Sequence, residues 1–412
     1  MKYGCIGEKL GHSFSKEIHH CFAAYPYELK EIPPNNLDAF MKSHDFSGIN
    51  VTIPYKQAVM PYLDKISPQA LDIGAVNTIV QRDGQLWGYN TDFDGMKALL
   101  AHIGIIPKDK KVLILGSGGT SHTARTLMKD MGAKEILIVS RSGENGITYK
   151  EATKQHRDAQ LIINTTPCGM SPNIWDRPMD LTDFHALEGV ADAIYNPLRP
   201  RLIQQALSLG IPTSGGLYML VAQAVRAGEH FTGTTFPPET IDTVYTKIKT
   251  AKENIVLTGM PGAGKTTIGK ALATALHRPF FDTDEEIQKH FAKSPAEIIS
   301  EEGDEAFRQK ETQVIQNSLA GKNGCIIATG GGCILKQENV DALKMNGKIL
   351  FLDRPPELLT PTKDRPLSSN RKDLFQRYTE RYQTYIETAD KMIENQGDME
   401  KACKEILGEY EL

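Results

Sequence analysis

The run Asn254-Ile-Val-Leu-Thr-Gly259-Met-Pro-Gly-Ala-Gly264-Lys265-Thr266-Thr267-Ile-Gly-Lys-Ala-Leu-Ala-Thr-Ala-Leu276 decides how the rest of this 412-residue chain is read. A short apolar stretch of strand character ends in GxxxxGK[ST], and apolar residues then recur at helical spacing. Glycines at such a turn let backbone N–H groups wrap phosphates. The lysine reaches the β and γ oxygens, the threonine hydroxyl ligates Mg²⁺, and the N-terminus of a helix favours anions. Gly262, Ala263, Gly264, Lys265, Thr266 and Thr267 are therefore the expected cradle for ATP, with Thr266 as a metal ligand.

Working outward, a second turn of the same architecture appears upstream. Gly116-Ser117-Gly118-Gly119-Thr120-Ser121 follows the apolar KKVLIL and opens TSHTARTLMKDM, the strand, turn and helix context of a dinucleotide fingerprint. The next apolar run, KEILIVS, ends in Ser140-Arg141-Ser142 with no acidic residue to accept a ribose 2′-hydroxyl. An arginine with small hydroxyls suits a 2′-phosphate, so NADP is expected over NAD. Short apolar runs alternate with helical segments along the whole chain: KYGCIG, YELKEI and GINVTIP, then KKVLILG, KEILIVS and QLIINTT, then NIVLTG, GCIIATG and GKILFLD. That alternation predicts an α/β class throughout, with parallel sheets and helices on their faces. The two glycine turns lie too far apart for one sheet, and PPETIDTVYTKIKTAKEN between them reads as a helix after Pro237 and Pro238 that frays into a polar stretch. A domain boundary near Thr250 follows.

Other polar clusters sit at the ends of apolar runs. Asp282-Thr-Asp284 lies one βα unit beyond the phosphate turn, where paired carboxylates suit Mg²⁺ at Asp282 and a hydroxyl at Asp284, although such a pair also caps helices. Arg308, in EAFRQKE, reads equally as half of an exposed helix ion pair. Gly330-Gly331-Gly332 at the end of CIIAT implies close approach of backbone to a ligand. In the first hundred residues, Gly11-His-Ser13-Phe-Ser15, Asn50-Val-Thr52-Ile-Pro-Tyr-Lys56, Ala75-Val-Asn77-Thr and Asn90-Thr-Asp92 group hydroxyls and amides that suit a polyol. Each alone also serves as a turn or helix cap.

Taken in combination, NVTxPxK, AVNT, NTDxxG and GGLYMLVAQA resemble shikimate dehydrogenase over residues 1–245. The resemblance implies Lys56 and Asp92 as the catalytic pair and Ser13, Ser15, Thr52, Asn77, Tyr195, Gly216 and Gln223 as further substrate contacts. It places Thr165, Thr166, Met170 and Ala193 along the cofactor cleft. Lys16 and His20 stand where the family commonly has a proline and an asparagine. Residues 253–412 resemble shikimate kinase through the phosphate loop, DTD, FRxxE at Phe307 to Glu311, the triple glycine, Asp364-Arg365-Pro366-Leu367 and Arg381 before Tyr385. This implies Lys265, Asp284 and a mobile Arg365 in catalysis, with Arg365 also at the nucleotide. Asp284, Arg308, Gly331 and Arg381 then hold shikimate. The segment LDRPPELLTPTKDRPLS is shorter than the family's usual lid, and Gln383 replaces a common proline.

The implied layout is a substrate domain at 1–98 completed by helices from 215–248, a Rossmann-type NADP domain at 99–214 and a P-loop domain with a central parallel sheet at 253–412. The implied chemistry is NADPH-dependent reduction of 3-dehydroshikimate to shikimate, then ATP-dependent phosphorylation to shikimate 3-phosphate. Two other readings keep the fold: a first half of broader quinate and shikimate specificity, or one half serving as a non-catalytic sensing module. A net charge of −4 carries no footprint of nucleic acid or an anionic membrane. Six scattered cysteines without a CxxC pair read as reduced thiols. No apolar run approaches a membrane span and the start lacks a signal pattern, so a cytoplasmic location is expected. Oligomeric state stays open at this level.

Overall fold

The computed structural model describes residues 1–11, 13–359 and 371–410. It divides into two compact units, Met1–Ile248 and Lys249–Leu412. The class is α/β, as the alternation of runs predicts, and three sheets carry the chain. Among the described residues no helix is long and apolar enough to cross a membrane.

The first sheet contains β1 (Tyr3–Gly7), β2 (Tyr27–Glu31), β3 (Gly48–Val51), β4 (Lys65–Ile66), β5 (Thr78–Arg82) and β6 (Gln85–Tyr89), in the order β2-β1-β3-β5-β6-β4. Here the expectation of purely parallel pairing needs correction. β1 pairs in parallel with β2 and β3, but β5 runs antiparallel to both β3 and β6. The cause is local. Asp83 and Gly84 adopt φ of 51° and 77°, the two left-handed positions of the tight turn that suits the twist of a hairpin.

The second sheet contains β7 (Lys111–Leu115), β8 (Glu135–Ser140), β9 (Ile147–Thr148), β10 (Leu161–Asn164), β11 (Gly189–Asp192) and β12 (Thr213–Ser214). Every pairing is parallel, in the order β12-β11-β10-β7-β8-β9. The winding direction reverses between β7 and β10, which opens a crevice beyond their carboxyl ends. Val112 to Leu115 and Leu161 to Asn164 are fully buried. That is why these strands read as continuous apolar runs rather than alternating ones.

In the second unit β13 (Asn254–Thr258), β14 (Phe280–Asp282), β15 (Ile326–Ala328), β16 (Gly347–Asp353) and β17 (Lys391–Glu394) form one parallel sheet, ordered β14-β15-β13-β16-β17. Its reversal falls at β13, so the turns after β13 and β15 face one crevice.

Helix Leu217–Thr232 packs against helices Thr91–His102 and Ser15–Phe22 and against β3 and β5. Being covered on several sides explains its largely apolar sequence from Leu217 to Val225. The approach to helix Thr91–His102 is close: a Cβ at Gly95 would stand 2.6 Å from the Met219 carbonyl oxygen. Gly95→Val should therefore destabilise the first unit by about 1–3 kcal/mol, the usual cost of overpacking. Both tryptophans, Trp87 and Trp175, lie in that unit, so tryptophan fluorescence during thermal unfolding will show the midpoint fall. An unchanged midpoint would mean that the helices separate at no cost.

Candidate active sites

A cavity of about 460 Å³ in the first unit gathers residues far apart in sequence. Ser13, Ser15, Thr52, Lys56, Asn77, Asp92, Tyr195, Gly216 and Gln223 all line it. So do Thr120, Thr165, Thr166, Met170 and Ala193. Gly116, Ser117, Gly118 and Gly119 do not; they form the turn after β7 and the start of helix Gly119–Asp130. Ser140, Arg141 and Ser142 also stand outside the cavity, at the end of β8, with Arg141 and Ser142 exposed. Ser140 is occupied locally, accepting from Gly143 N at 3.1 Å.

The centre of the cavity wall is an ion pair. Lys56 Nζ donates to Asp92 Oδ2 at 2.5 Å, with side-chain exposures of 20% and 12%. Lys56 sits in the turn after β3 and Asp92 in the first helical turn of Thr91–His102, where the unpaired N–H groups favour a carboxylate. Asn77 sets the start of this helix, its Oδ1 accepting from Thr91 N at 2.7 Å and from the hydroxyls of Thr78 and Thr91. Its carbonyl side is thus spent on the protein, leaving the amide N–H₂ for the cavity. Asn50, the first residue of NVTxPxK, carries no role in the sequence reading. It lines the cavity, accepts from Tyr27 Oη at 2.7 Å and donates to Thr78 Oγ1 at 3.1 Å. Its signal in the sequence was its place beside Thr52.

The crevice between β7 and β10 is braced from below. Thr165 Oγ1 donates to the Leu115 carbonyl at 2.6 Å, and Thr166 Oγ1 to Asn164 Oδ1 at 2.7 Å. Asn164 Nδ2 in turn donates to both oxygens of Asp192 at 3.0 Å. Burial pushes the Asp192 carboxyl up to about 7, against the Ile194 N–H and the Asn164 amide that pull it down.

In the second unit Gly262 and Gly264 have φ of 83° and 91°, and helix Lys265–Ala275 begins directly after them. Ala263 between them is buried, and Thr267 is exposed on the helix's first turn. Lys265 Nζ is buried and donates to the carbonyls of Gly259 and Met260 at 2.8 and 2.9 Å. Thr266 Oγ1 donates to Asp282 Oδ2 at 2.7 Å, while Asp282 Oδ1 accepts from Asp284 N at 3.0 Å. Capping and placement beside Thr266 are compatible, one carboxylate oxygen serving each.

The exposed ion pair considered for Arg308 is not what forms. Arg308 is buried and its Nη1 donates to Glu311 Oε2 at 2.7 Å. Burial pushes the Glu311 carboxyl up, against the guanidinium that pulls it down. The triple glycine packs among these groups: a Cβ at Gly332 would stand 2.3 Å from Arg308 Nη2, and one at Gly331 2.7 Å from Pro261 Cδ. Arg381, on helix Arg371–Thr388, donates to the Gly331 carbonyl at 3.1 Å, and Tyr385 Oη donates there too. Arg365 lies outside the described residues. Glu311, which holds Arg308, stands in FRxxE with no role of its own, and Asn395, which donates to the Ala263 carbonyl at 2.8 Å, lies outside every motif. Glu311 carried a signal, three residues beyond Arg308 on one helix face. Asn395 carried none.

The donor sets fit the groups expected there. Open space adjoins both Gly118 and Gly119, so backbone at the helix start is accessible to a pyrophosphate. Thr266 and Asp282 offer two hard oxygens, and no group of three or more His, Cys, Asp or Glu able to hold a metal occurs among the described residues. Mg²⁺ binds in this manner, with few protein oxygens beside waters and phosphates.

A family model for shikimate kinase matches residues 261–411, and one for the shikimate dehydrogenase substrate binding domain matches residues 5–79. The chain is 38% identical over 245 residues to a shikimate dehydrogenase (NADP(+)) of Clostridium beijerinckii, covering 55% of this chain and 90% of that one. Among solved structures, shikimate dehydrogenase 1 of Peptoclostridium difficile superposes with TM-score 0.56 at 34% identity, covering 60% of this chain and 98% of that one. A Thermus thermophilus shikimate 5-dehydrogenase, solved with NADP(H) and shikimate, gives TM-score 0.54 at 28% identity, with 60% and 98% covered. The chain belongs to the shikimate dehydrogenase family and carries a shikimate kinase domain after it, which makes it an enzyme with an oxidoreductase part and a kinase part.

The buried Asp192 makes stability depend on pH. The native state keeps the Asp192 proton up to about pH 7, whereas an unfolded aspartate with the model value of 3.8 releases it. Between those values the native state binds more protons, so this contribution to stability is full at the acid end and is lost as pH rises through about 7. Asp192→Asn should remove that decline. Urea unfolding followed by tryptophan fluorescence from about pH 4.5 to about pH 8, a range that lies above the unfolded step and crosses the native one, will show a flatter stability profile for the variant. Parallel profiles for both proteins would rule the buried proton out.

Proposed function

We propose that the first unit reduces 3-dehydroshikimate to shikimate with NADPH and the second phosphorylates shikimate with ATP to shikimate 3-phosphate. The observation that carries the reading is the Lys56–Asp92 pair in the wall of a cavity that hydroxyls and amides also line. Reduction of a ketone leaves an alkoxide, and a lysine held by a carboxylate supplies the proton as that charge builds. Lys56 delivers it from Nζ; Asp92 orients the ammonium and accepts from a substrate hydroxyl. Ser13, Ser15, Thr52, Asn77, Tyr195, Gly216 and Gln223 hold the remaining substituents.

NADPH, when bound, supplies the hydride. Gly116 to Thr120 would hold its pyrophosphate, Ser140, Arg141 and Ser142 its 2′-phosphate, and Thr165 and Ala193 would flank its reactive end. In the kinase domain Asp284 orients the acceptor hydroxyl and takes its proton, while Arg308, Gly331 and Arg381 hold the ring and its carboxylate. Lys265 and Arg365 neutralise charge on the transferring phosphoryl. Thr266 and Asp282 would hold Mg²⁺, which supplies further neutralisation of the phosphates when bound. The working domains we assign are 1–98 with 215–248 for the first substrate, 99–214 for NADP and 253–412 for phosphoryl transfer.

The two activities should be separable in the full chain. Lys56→Ala should lower kcat for NADPH oxidation with dehydroshikimate by roughly 10²–10⁴-fold, the usual worth of a positioned acid, and leave phosphorylation of added shikimate intact. Lys265→Ala should do the reverse. A coupled assay with dehydroshikimate, NADPH and ATP should yield shikimate 3-phosphate from the unmodified protein alone. Loss of both activities from either substitution would contradict two separate sites, and faster turnover of quinate than of shikimate would broaden the first.

A further inference from the structure

Three charged side chains line the dehydrogenase cavity: Lys56, Asp92 and Lys9. The first two cancel across their 2.5 Å contact. Lys9 does not share in that pair, and among the described residues no carboxylate stands within ion-pair distance of it. The cavity wall therefore carries one net positive charge, and that charge belongs to Lys9.

Its backbone is fixed. Leu10 N donates to Glu31 Oε1 at 2.7 Å, Glu8 N to the Ile53 carbonyl at 3.4 Å, and Ser13 N to the Leu10 carbonyl at 3.0 Å. Glu31, the acidic group that touches this loop, is thus directed at a backbone N–H. The same loop continues into Ser13 and Ser15, whose hydroxyls also line the cavity. Neutral hydroxyls satisfy the lone pairs of an anion but leave its charge unmatched. Lys9 is exposed while still lining the cavity, which places its ammonium at the solvent rim, where long basic side chains keep their charge hydrated.

We infer that Lys9 is a specificity-determining residue of the dehydrogenase site, a rim cation that draws in and holds the carboxylate of the substrate. The inference rests on the proposed reduction of a carboxylated cyclic ketone and adds a residue to it. Lys9 touches no reacting atom, so it acts on capture and not on hydride or proton transfer. Its sign also favours anionic over neutral ketones of the same ring size.

The test uses steady-state NADPH oxidation by the full chain at saturating NADPH, with dehydroshikimate and with its methyl ester. Lys9→Gln should raise KM for the acid about three- to fivefold at low salt, as befits a solvent-exposed ion pair, with kcat unchanged. Lys9→Glu should raise it further, and Lys9→Arg should restore it. The difference between Lys9→Gln and the unmodified protein should shrink as ionic strength rises to about 0.5 M and should be absent with the methyl ester. Equal KM values for the acid at low salt would overturn the inference. So would an equal rise for acid and ester, which would mark a loss of shape and not of charge. Failure of the unmodified protein to reduce dehydroshikimate would instead sink the proposed reaction, so the two failures are distinguishable.

Discussion

A helix that starts at the carboxyl end of a buried parallel strand leaves its first backbone N–H groups without intrahelical partners, and both units are arranged around that deficit. In the turn after β7, Gly118 precedes helix Gly119–Asp130 with no side-chain cap. In the turn after β13, Gly264 precedes helix Lys265–Ala275, again uncapped by a side chain. Each turn stands where the winding of its sheet reverses. Neighbouring strand ends therefore supply the rest of each site: Thr165 and Thr166 from β10 in one case, Gly330 to Gly332 from β15 in the other. An anion is the natural partner of such a helix start, and the sheet order decides which side chains reach it.

Around that common frame the side chains that position the sites are hydrogen-bonded, because a buried donor or acceptor left unpaired costs more than a pair gains; Glu311 Oε1 and Asn90 Oδ1 are buried exceptions. Asn77 is the clearest case. One carbonyl oxygen takes the Thr91 N–H and two hydroxyls, which holds the helix start that carries Asp92 and thereby aims Asp92 at Lys56. The kinase domain repeats the logic with Asp282, whose two oxygens serve Thr266 and the backbone of Asp284. One side chain at a strand end thus positions the residues that face the ligand, and its substitution would be felt in the site before the fold.

What could be read from the chain and what could not divide along physical lines. Runs buried on both faces, such as KVLIL and NIVLT, announce themselves by uninterrupted apolar character, and glycine turns beside them announce phosphate chemistry. The Thr78–Tyr89 hairpin carried a legible Asp-Gly turn, but the expectation of parallel pairing passed over it. Short edge strands such as Lys65–Ile66 and Thr213–Ser214 owe their form to pairing partners and carry no pattern of their own. Arg308 shows the same limit at a site: charged surroundings such as EAFRQKE look like a solvated helix face, and only the fold reveals Glu311 buried beneath it. Asn395 is more extreme, since its contact with Ala263 spans 132 positions and nothing local marks it.

The two sites also differ in how they hold charge, and the difference follows from what each is proposed to move. The dehydrogenase cavity pairs its half-buried Lys56 with Asp92, so no uncompensated charge stands at the reacting centre, as suits hydride and proton delivered to one ketone, which add no net charge to the product. The kinase crevice instead buries Lys265, Arg308 and Arg381; Arg308 pairs with Glu311, while Arg381 donates to the Gly331 carbonyl. A carbonyl orients the Arg381 cation without cancelling it, so its positive potential remains available to an anion. Arg381 bears the cost visibly, since burial pulls its guanidinium below its ordinary value.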